Sequence, residues 1–83
     1  MKTPKRDQRR TKEEIKAQLP PISLFVRNRR EELQYTQEDL AFRSGHNLRF
    51  IKELELGKQT VRLDKVLTLL NFLGATLEVK KGK

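Results

Sequence analysis

The chain contains no cysteine and a single histidine. Without cysteine it can form no disulfide, no thiolate metal site and no cysteine nucleophile. A zinc site would have to use His46 together with carboxylates, and a Ser-His-Asp triad would depend on the same imidazole. We therefore expect neither a metal site nor a hydrolytic triad.

Long apolar runs and clustered glycines are also missing. No apolar stretch approaches the roughly 18 residues that a membrane-spanning helix needs. The basic first ten residues are not followed by an apolar segment, so no secretory signal is predicted. The four glycines are too dispersed along the chain to cradle a phosphate. These absences predict a cytoplasmic protein that is not an enzyme and uses no cofactor.

Positive charge is what the chain has in excess. Its 83 residues include 19 Lys and Arg against 11 Asp and Glu, which gives a formal net charge of +8. Hydrophobic residues make up 35% of the chain, enough for one compact core. A domain of this size is marginal alone and often gains stability from a second subunit. The composition thus predicts a single small domain with an anionic partner.

The first part of the chain differs from the rest. Residues 1–19 hold seven basic residues against three acidic residues, and few apolar ones. Such a stretch cannot bury enough surface to fold alone. A Thr-Lys-Glu-Glu sequence of capping-box form permits one or two helical turns over 12–18. We interpret 1–19 as a basic arm, either functional or only a solvated tail, and 20–83 as the folded domain.

From residue 21 onward the apolar residues recur with helical spacing, which predicts an all-α fold of four helices. Pro21 suits the first turn of the first helix. Thr36 is a good N-cap for the second helix, with Asp39 three residues later as its capping-box partner. Gly45 ends this second helix.

Two further helices and a short strand complete the expected domain. The third helix follows the N-cap Asn47, covers 48–56 and ends at a glycine. The fourth covers about 62–73, and its apolar stripe is either core or a dimer seam. Leu77 and Val79 then alternate with polar residues, which is the period of a strand. The stripe consists of Leu63, Val66, Leu67, Leu70 and Leu73.

The second and third helices have the features of a helix-turn-helix. The turn needs a residue that tolerates positive φ, which Gly45 supplies, and the close crossing needs a small residue, which is Ala41. Ile51 and Leu54 lie one turn apart behind the third helix and leave its front polar. The chain resembles the XRE (Cro/CI-like) helix-turn-helix family in Thr36 to Ala41, Gly45, Phe50 to Glu55, Gly57 and Lys58.

This resemblance implies sequence-specific binding of a double-stranded DNA operator by a repressor, which would be nucleoid-associated when bound. Residues 60–67 resemble the branch with HipB-type antitoxins, which implies a HipA-like kinase toxin as partner and autorepression. A stand-alone regulator and a non-specific basic nucleic-acid-binding adaptor remain alternatives. Because a lone strand has unsatisfied edges, we expect 75–80 to pair with the same strand of a second subunit in a homodimer.

The resemblance also assigns positions that face DNA. In relatives, the glutamine that opens the second helix contacts a phosphate, and Gln37 holds that place. Arg49 is suited to a guanine edge, and Leu48 either touches a thymine methyl or reads nothing. Asn47 acts as N-cap, phosphate contact or adenine reader. The expected DNA-binding residues are Gln37, Arg43, Asn47, Leu48, Arg49, Lys52, Glu53 and Lys58.

Other polar residues are expected to serve the fold. Arg30 and Glu55 match the family's ion pair between the first helix and the end of the third, since a partly buried charge must be paired. His46 is interpreted as a partly packed turn residue. Arg27 and Arg29 are interpreted as a solvated helix face, with phosphate contact as the alternative.

Overall fold

A computed structural model describes residues 19–82 of the chain. The basic arm expected over 1–19, with its short helix over 12–18, lies outside the described residues except for Leu19. Among the described residues, none of the helices has the length and apolar character needed to cross a membrane. The four expected helices are confirmed: α1 (Pro21–Glu32), α2 (Gln37–Ser44), α3 (Leu48–Glu55) and α4 (Leu63–Phe72).

The ends of α2 and α3 follow from local hydrogen bonding. The Thr36 hydroxyl accepts the Asp39 N–H at 2.9 Å, and the Asp39 carboxylate accepts the Thr36 N–H at 2.9 Å, so the expected capping box is present. Gly45 ends α2 with a φ of 79°. The Asn47 side chain caps α3 by accepting the Arg49 N–H at 2.7 Å. These caps fix where the helix-turn-helix begins and ends.

One apolar cluster joins the helices. Ala41 on α2 is buried where α2 crosses α3, and Ile51 and Leu54 are buried behind α3, as the sequence predicted. Burial of such side chains is the main favourable term in folding a domain of this size. The buried cluster contains Val26, Leu40, Ala41, Phe50, Ile51, Leu54, Val66, Leu69, Leu70 and Leu73.

The buried face of α4 is rotated relative to the predicted stripe. Leu69 is fully buried although the stripe omitted it, whereas Leu63 is 62% exposed and Leu67 is 37% exposed. The buried positions 66, 69, 70 and 73 keep the helical spacing of one face, and Leu63 and Leu67 lie at the edge of that face. Leu63 is therefore not a core residue of the single chain.

The C-terminal segment follows α4 without forming a strand within the described residues. Ala75 N–H still donates to the Leu70 carbonyl at 2.8 Å, but residues 76–82 make no backbone–backbone hydrogen bond among residues 19–82. Leu77 is 40% exposed and Val79 is fully exposed. Residues 19–82 contain no strand with which this segment could pair. Its pairing with the same segment of a second subunit stays a prediction.

Candidate nucleic-acid interface

Helix α3 has two chemically different sides. Its rear carries apolar side chains buried against α1 and α2, and its front carries Arg49, Lys52 and Glu53. The Arg49 side chain is 85% exposed. Gly45, in the left-handed region, makes the turn that holds α3 across α2 in this orientation. The arrangement presents a short, polar and mainly basic helix face to the surroundings.

Glu53 links two cations on this face. Its Oε2 lies 3.1 Å from Arg49 Nε, one helical turn earlier, and its Oε1 lies 3.2 Å from Lys58 Nζ, beyond the end of α3. The hydrogen bonds from Lys58 and Arg49 hold the pKa of the Glu53 carboxyl below its usual range. Three of the expected DNA-binding residues thus form one hydrogen-bonded group.

Gln37 is the first residue of α2, but its side chain is turned toward the protein. Its Nε2 donates to Glu55 Oε1 at 3.1 Å. Backbone N–H groups in the first turn of a helix lack helical partners and favour anions. The bond to Glu55 ties this anion-favouring helix start to the end of α3.

The remaining expected residues differ in how accessible they are. Arg43 is exposed, and its guanidinium lies 4.9 Å from the centroid of the Tyr35 ring. Lys52 is exposed, and its side chain makes no hydrogen bond or ion pair with residues 19–82. Leu48 packs partly against the core, and the Asn47 oxygen is engaged in the cap. The packing of Leu48 leaves less of its side chain available to a thymine methyl.

Two basic residues beside α3 were not among the expected DNA-binding residues. Arg62 and Lys65, at the start of α4, line a depression of about 290 Å³ together with Arg49 and Phe50. Arg62 also forms an ion pair of 2.7 Å with Asp64. Periodicity along α4 gave no signal for them, because the packing of α4 beside α3 is a tertiary relationship.

The end of α3 is held by a buried carboxylate. Arg30 donates through Nε to Glu55 Oε2 at 2.7 Å and through Nη2 to Glu55 Oε1 at 2.9 Å, which confirms the expected ion pair. The Glu55 side chain is fully buried. The hydrogen bond to Glu55 raises the pKa of Arg30. This pair fixes the last turn of α3 against α1.

The solvated helix face expected for Arg27 and Arg29 is wrong. Arg27 Nε lies 3.7 Å from Glu55 Oε1, and only 20% of its side chain is exposed. Arg29 Nε donates to the Leu73 carbonyl at 3.1 Å. Both side chains interact with the ends of other helices, where carbonyl groups lack helical partners. No spacing within α1 signals such contacts.

His46 is a packed turn residue, as expected. Its ring centroid lies 5.2 Å from that of Phe50, and its Nε2 lies 3.1 Å from the Thr68 hydroxyl. Burial, aided by the nearby charge of Lys65, lowers the pKa of His46. Over residues 19–82 no group of three His, Cys, Asp or Glu side chains could hold a metal ion.

Comparison with known proteins agrees with this geometry. The family described as helix-turn-helix matches residues 26–80, which include all of α2, α3 and α4. An uncharacterized HTH-type transcriptional regulator, y4mF of Sinorhizobium fredii, is 41% identical over 58 residues, which are 70% of this chain and 76% of the relative. The chain therefore belongs to the helix-turn-helix family.

Proposed function

We propose that the protein is a transcriptional regulator that binds duplex DNA sequence-specifically, with α3 in the major groove. The observation that carries this is the orientation of α3, with Ile51 and Leu54 buried behind it and Arg49 exposed in front. A major groove about 12 Å wide accepts one α-helix, and an arginine can bond guanine O6 and N7 together. The net charge of +8 favours association with phosphates.

The other expected DNA-binding residues are given roles from their positions. Lys52 and Arg43 supply phosphate contacts, and the start of α2 at Gln37 approaches the backbone of the duplex. Lys58 lies on the same surface, but its ammonium group is paired with Glu53. Arg62 and Lys65 extend this basic surface beside α3.

We also propose that the protein acts as a homodimer on a palindromic operator. Leu77 and Val79 alternate in strand period and are exposed in the single chain. Leu77 lines an apolar groove of about 240 Å³ with Phe25 and Leu70. Pairing of residues 75–80 across a twofold axis would cover this surface and satisfy the unpaired backbone. The two α3 helices would then enter major grooves about one helical turn, or a multiple of it, apart.

The dimer is tested by replacing a residue of the strand. In sedimentation analysis, Leu77→Asp should shift the protein from dimer to monomer, because it introduces a charge on the apolar side. Glu78→Lys changes the charge on the polar side of the predicted strand, outside the groove, and should leave the dimer largely intact. A wild-type protein that sediments as a monomer at all concentrations would contradict this part of the proposal.

For the mode of action we propose a repressor that occludes its promoter. The stand-alone regulator is the first candidate, because the relative is named as a transcriptional regulator and that name mentions no toxin. The second candidate is the antitoxin of a HipA-like kinase, supported by the resemblance of residues 60–67 to that branch. A neighbouring kinase gene, or a kinase that co-purifies with the protein, would favour the second candidate.

DNA binding is tested by selecting ligands from a random duplex library with the wild-type protein. The selected duplex and a scrambled duplex of equal composition are then compared by gel-shift titration at two salt concentrations. We expect tighter binding to the selected duplex and weaker binding to both at higher salt. Equal affinity for the two duplexes would rule out sequence-specific regulation and favour the non-specific adaptor.

A further inference from the structure

The front of α3 carries one acidic residue, Glu53, among its basic residues. Glu53 lies in the same row as Arg49, one turn apart, and 30% of its side chain is exposed. A carboxylate this close to the phosphates of a duplex opposes binding by like-charge repulsion. Attraction to phosphate therefore does not explain the position of Glu53.

The two oxygens of Glu53 engage two different cations in different ways. Arg49 gives only its Nε to Glu53, at 3.1 Å, and its two Nη atoms make no hydrogen bond among residues 19–82. Lys58 gives its sole charged group, Nζ, at 3.2 Å. The pair with Glu53 uses one of the three N–H donors of Lys58 and places a carboxylate beside its charge, whereas it leaves the two terminal nitrogens of Arg49 free as donors.

These two arrangements have opposite consequences for binding. The terminal nitrogens of Arg49 can bond a guanine edge while its Nε remains on Glu53, so base reading keeps the pair intact. A phosphate that binds Lys58 is brought close to the Glu53 carboxylate, which lies 3.2 Å from Lys58 Nζ, and the two like charges repel each other. Contact with the correct base is therefore compatible with the group, whereas indiscriminate phosphate contact is penalised.

We propose that Glu53 is a specificity-determining residue, which orients Arg49 for base reading and restrains Lys58 from non-specific phosphate binding. This inference rests on the proposed DNA-binding function. In this role Glu53 lowers the affinity for non-specific DNA and supports recognition of the correct sequence. Specific interfaces commonly contain such an element that disfavours the wrong partner.

The test is Glu53→Gln, which keeps the shape and removes the charge. Affinities for the selected duplex and the scrambled duplex are measured by fluorescence anisotropy over a range of salt concentrations. We expect the ratio of the two affinities to fall by about threefold, since exposed ion pairs are individually weak. The salt dependence of scrambled-duplex binding should steepen by about 0.9 for each additional phosphate contact.

The matched control is Glu32→Gln. Glu32 also pairs with an arginine, Arg29, at 3.1 Å, but it lies at the end of α1. Glu32→Gln should raise the affinity for both duplexes by at most a small and equal amount, without changing the ratio of the two affinities. Thermal melts of both variants verify that they fold.

The outcomes separate this inference from the proposed function. If wild type prefers the selected duplex but Glu53→Gln changes neither the ratio nor the salt slope, the role of Glu53 is wrong and the proposed function stands. If the ratio of the two affinities rises in Glu53→Gln, Glu53 lowers sequence preference in the wild-type protein, and the inference is overturned. A wild-type protein without sequence preference would overturn the proposed function, and the inference with it.

Discussion

Arg30 and Glu55 connect the first helix to the last residue of α3 through two hydrogen bonds of 2.7 and 2.9 Å. The same carboxylate accepts the Gln37 amide at 3.1 Å. One buried charge therefore sets the relative positions of α1, α2 and α3. Because the front of α3 contains the proposed base-reading residue, the geometry of the interface depends on a contact made behind it.

Removal of Arg30 should strongly destabilise the fold. Arg30→Ala leaves the buried Glu55 with the Gln37 amide and the longer contact to Arg27, and breaking a buried pair in this way costs about 3–5 kcal/mol. Urea unfolding measures the loss. Arg49→Ala, at an exposed position, should change the free energy of unfolding by no more than about 0.5 kcal/mol. Equal effects of the two substitutions would contradict the assigned structural role of Arg30.

Gly45→Ala should destabilise the protein through the backbone alone. Gly45 has a φ of 79°, and a Cβ added there would meet no atom within 4 Å. An alanine in the left-handed region costs about 1–2 kcal/mol, so urea unfolding should show a loss of that size. Gly82→Ala is the control, because Gly82 has equal space and no positive φ. A loss well above this range would mean that the turn is sterically constrained as well.

Arg49 and Gln37 should affect DNA binding differently. Arg49→Ala is expected to weaken binding to the selected duplex by about 1–3 kcal/mol and to relax sequence preference. Gln37→Ala should weaken binding to selected and scrambled duplexes alike, because Gln37 holds the start of α2 in place through Glu55 and a contact of that helix start with phosphate carries no sequence information. Gel-shift titration with both duplexes distinguishes them. Equal loss on both duplexes for Arg49→Ala would refute its base-reading role.

Stability should fall as the pH drops through the titration range of the single histidine. Burial lowers the pKa of His46 in the folded protein, whereas the unfolded chain keeps the ordinary value of about 6.5. Below about pH 6.5 the unfolded state binds the proton more readily, so the free energy of unfolding declines towards the lower folded-state pKa. Urea unfolding between pH 7 and 5 measures this. His46→Gln should flatten the dependence of the free energy of unfolding on pH. If the variant keeps the wild-type pH dependence, a group other than His46 is responsible.

The local features of the fold could be predicted from the sequence because they depend on neighbours along the chain. The Thr36 and Asp39 capping box, the Asn47 cap and the turn at Gly45 each involve residues a few positions apart, and all are present. The Arg30 and Glu55 pair was predicted through the family resemblance, since its members lie 25 residues apart.

Features that depend on the packing of whole helices could not be predicted in this way. Leu63 and Leu69 both fit a helical period, and only the position of α4 against α1 and α3 decides which is buried. Arg27 reaches the end of α3 for the same reason. The hydrogen bonds from Arg49 and Lys58 to Glu53 join predicted DNA-facing residues into one group that their separate assignments did not suggest.

The eight residues of α3 also limit the number of base pairs that one subunit can contact with this helix. At 1.5 Å per residue the helix is about 12 Å long, which spans about four base pairs at 3.4 Å each. A sequence of four base pairs recurs by chance about once in 256 positions, too often to mark one promoter in a chromosome. Two four-base-pair sequences read together recur by chance about once in 65,000 positions, so the short length of α3 favours the proposed dimer.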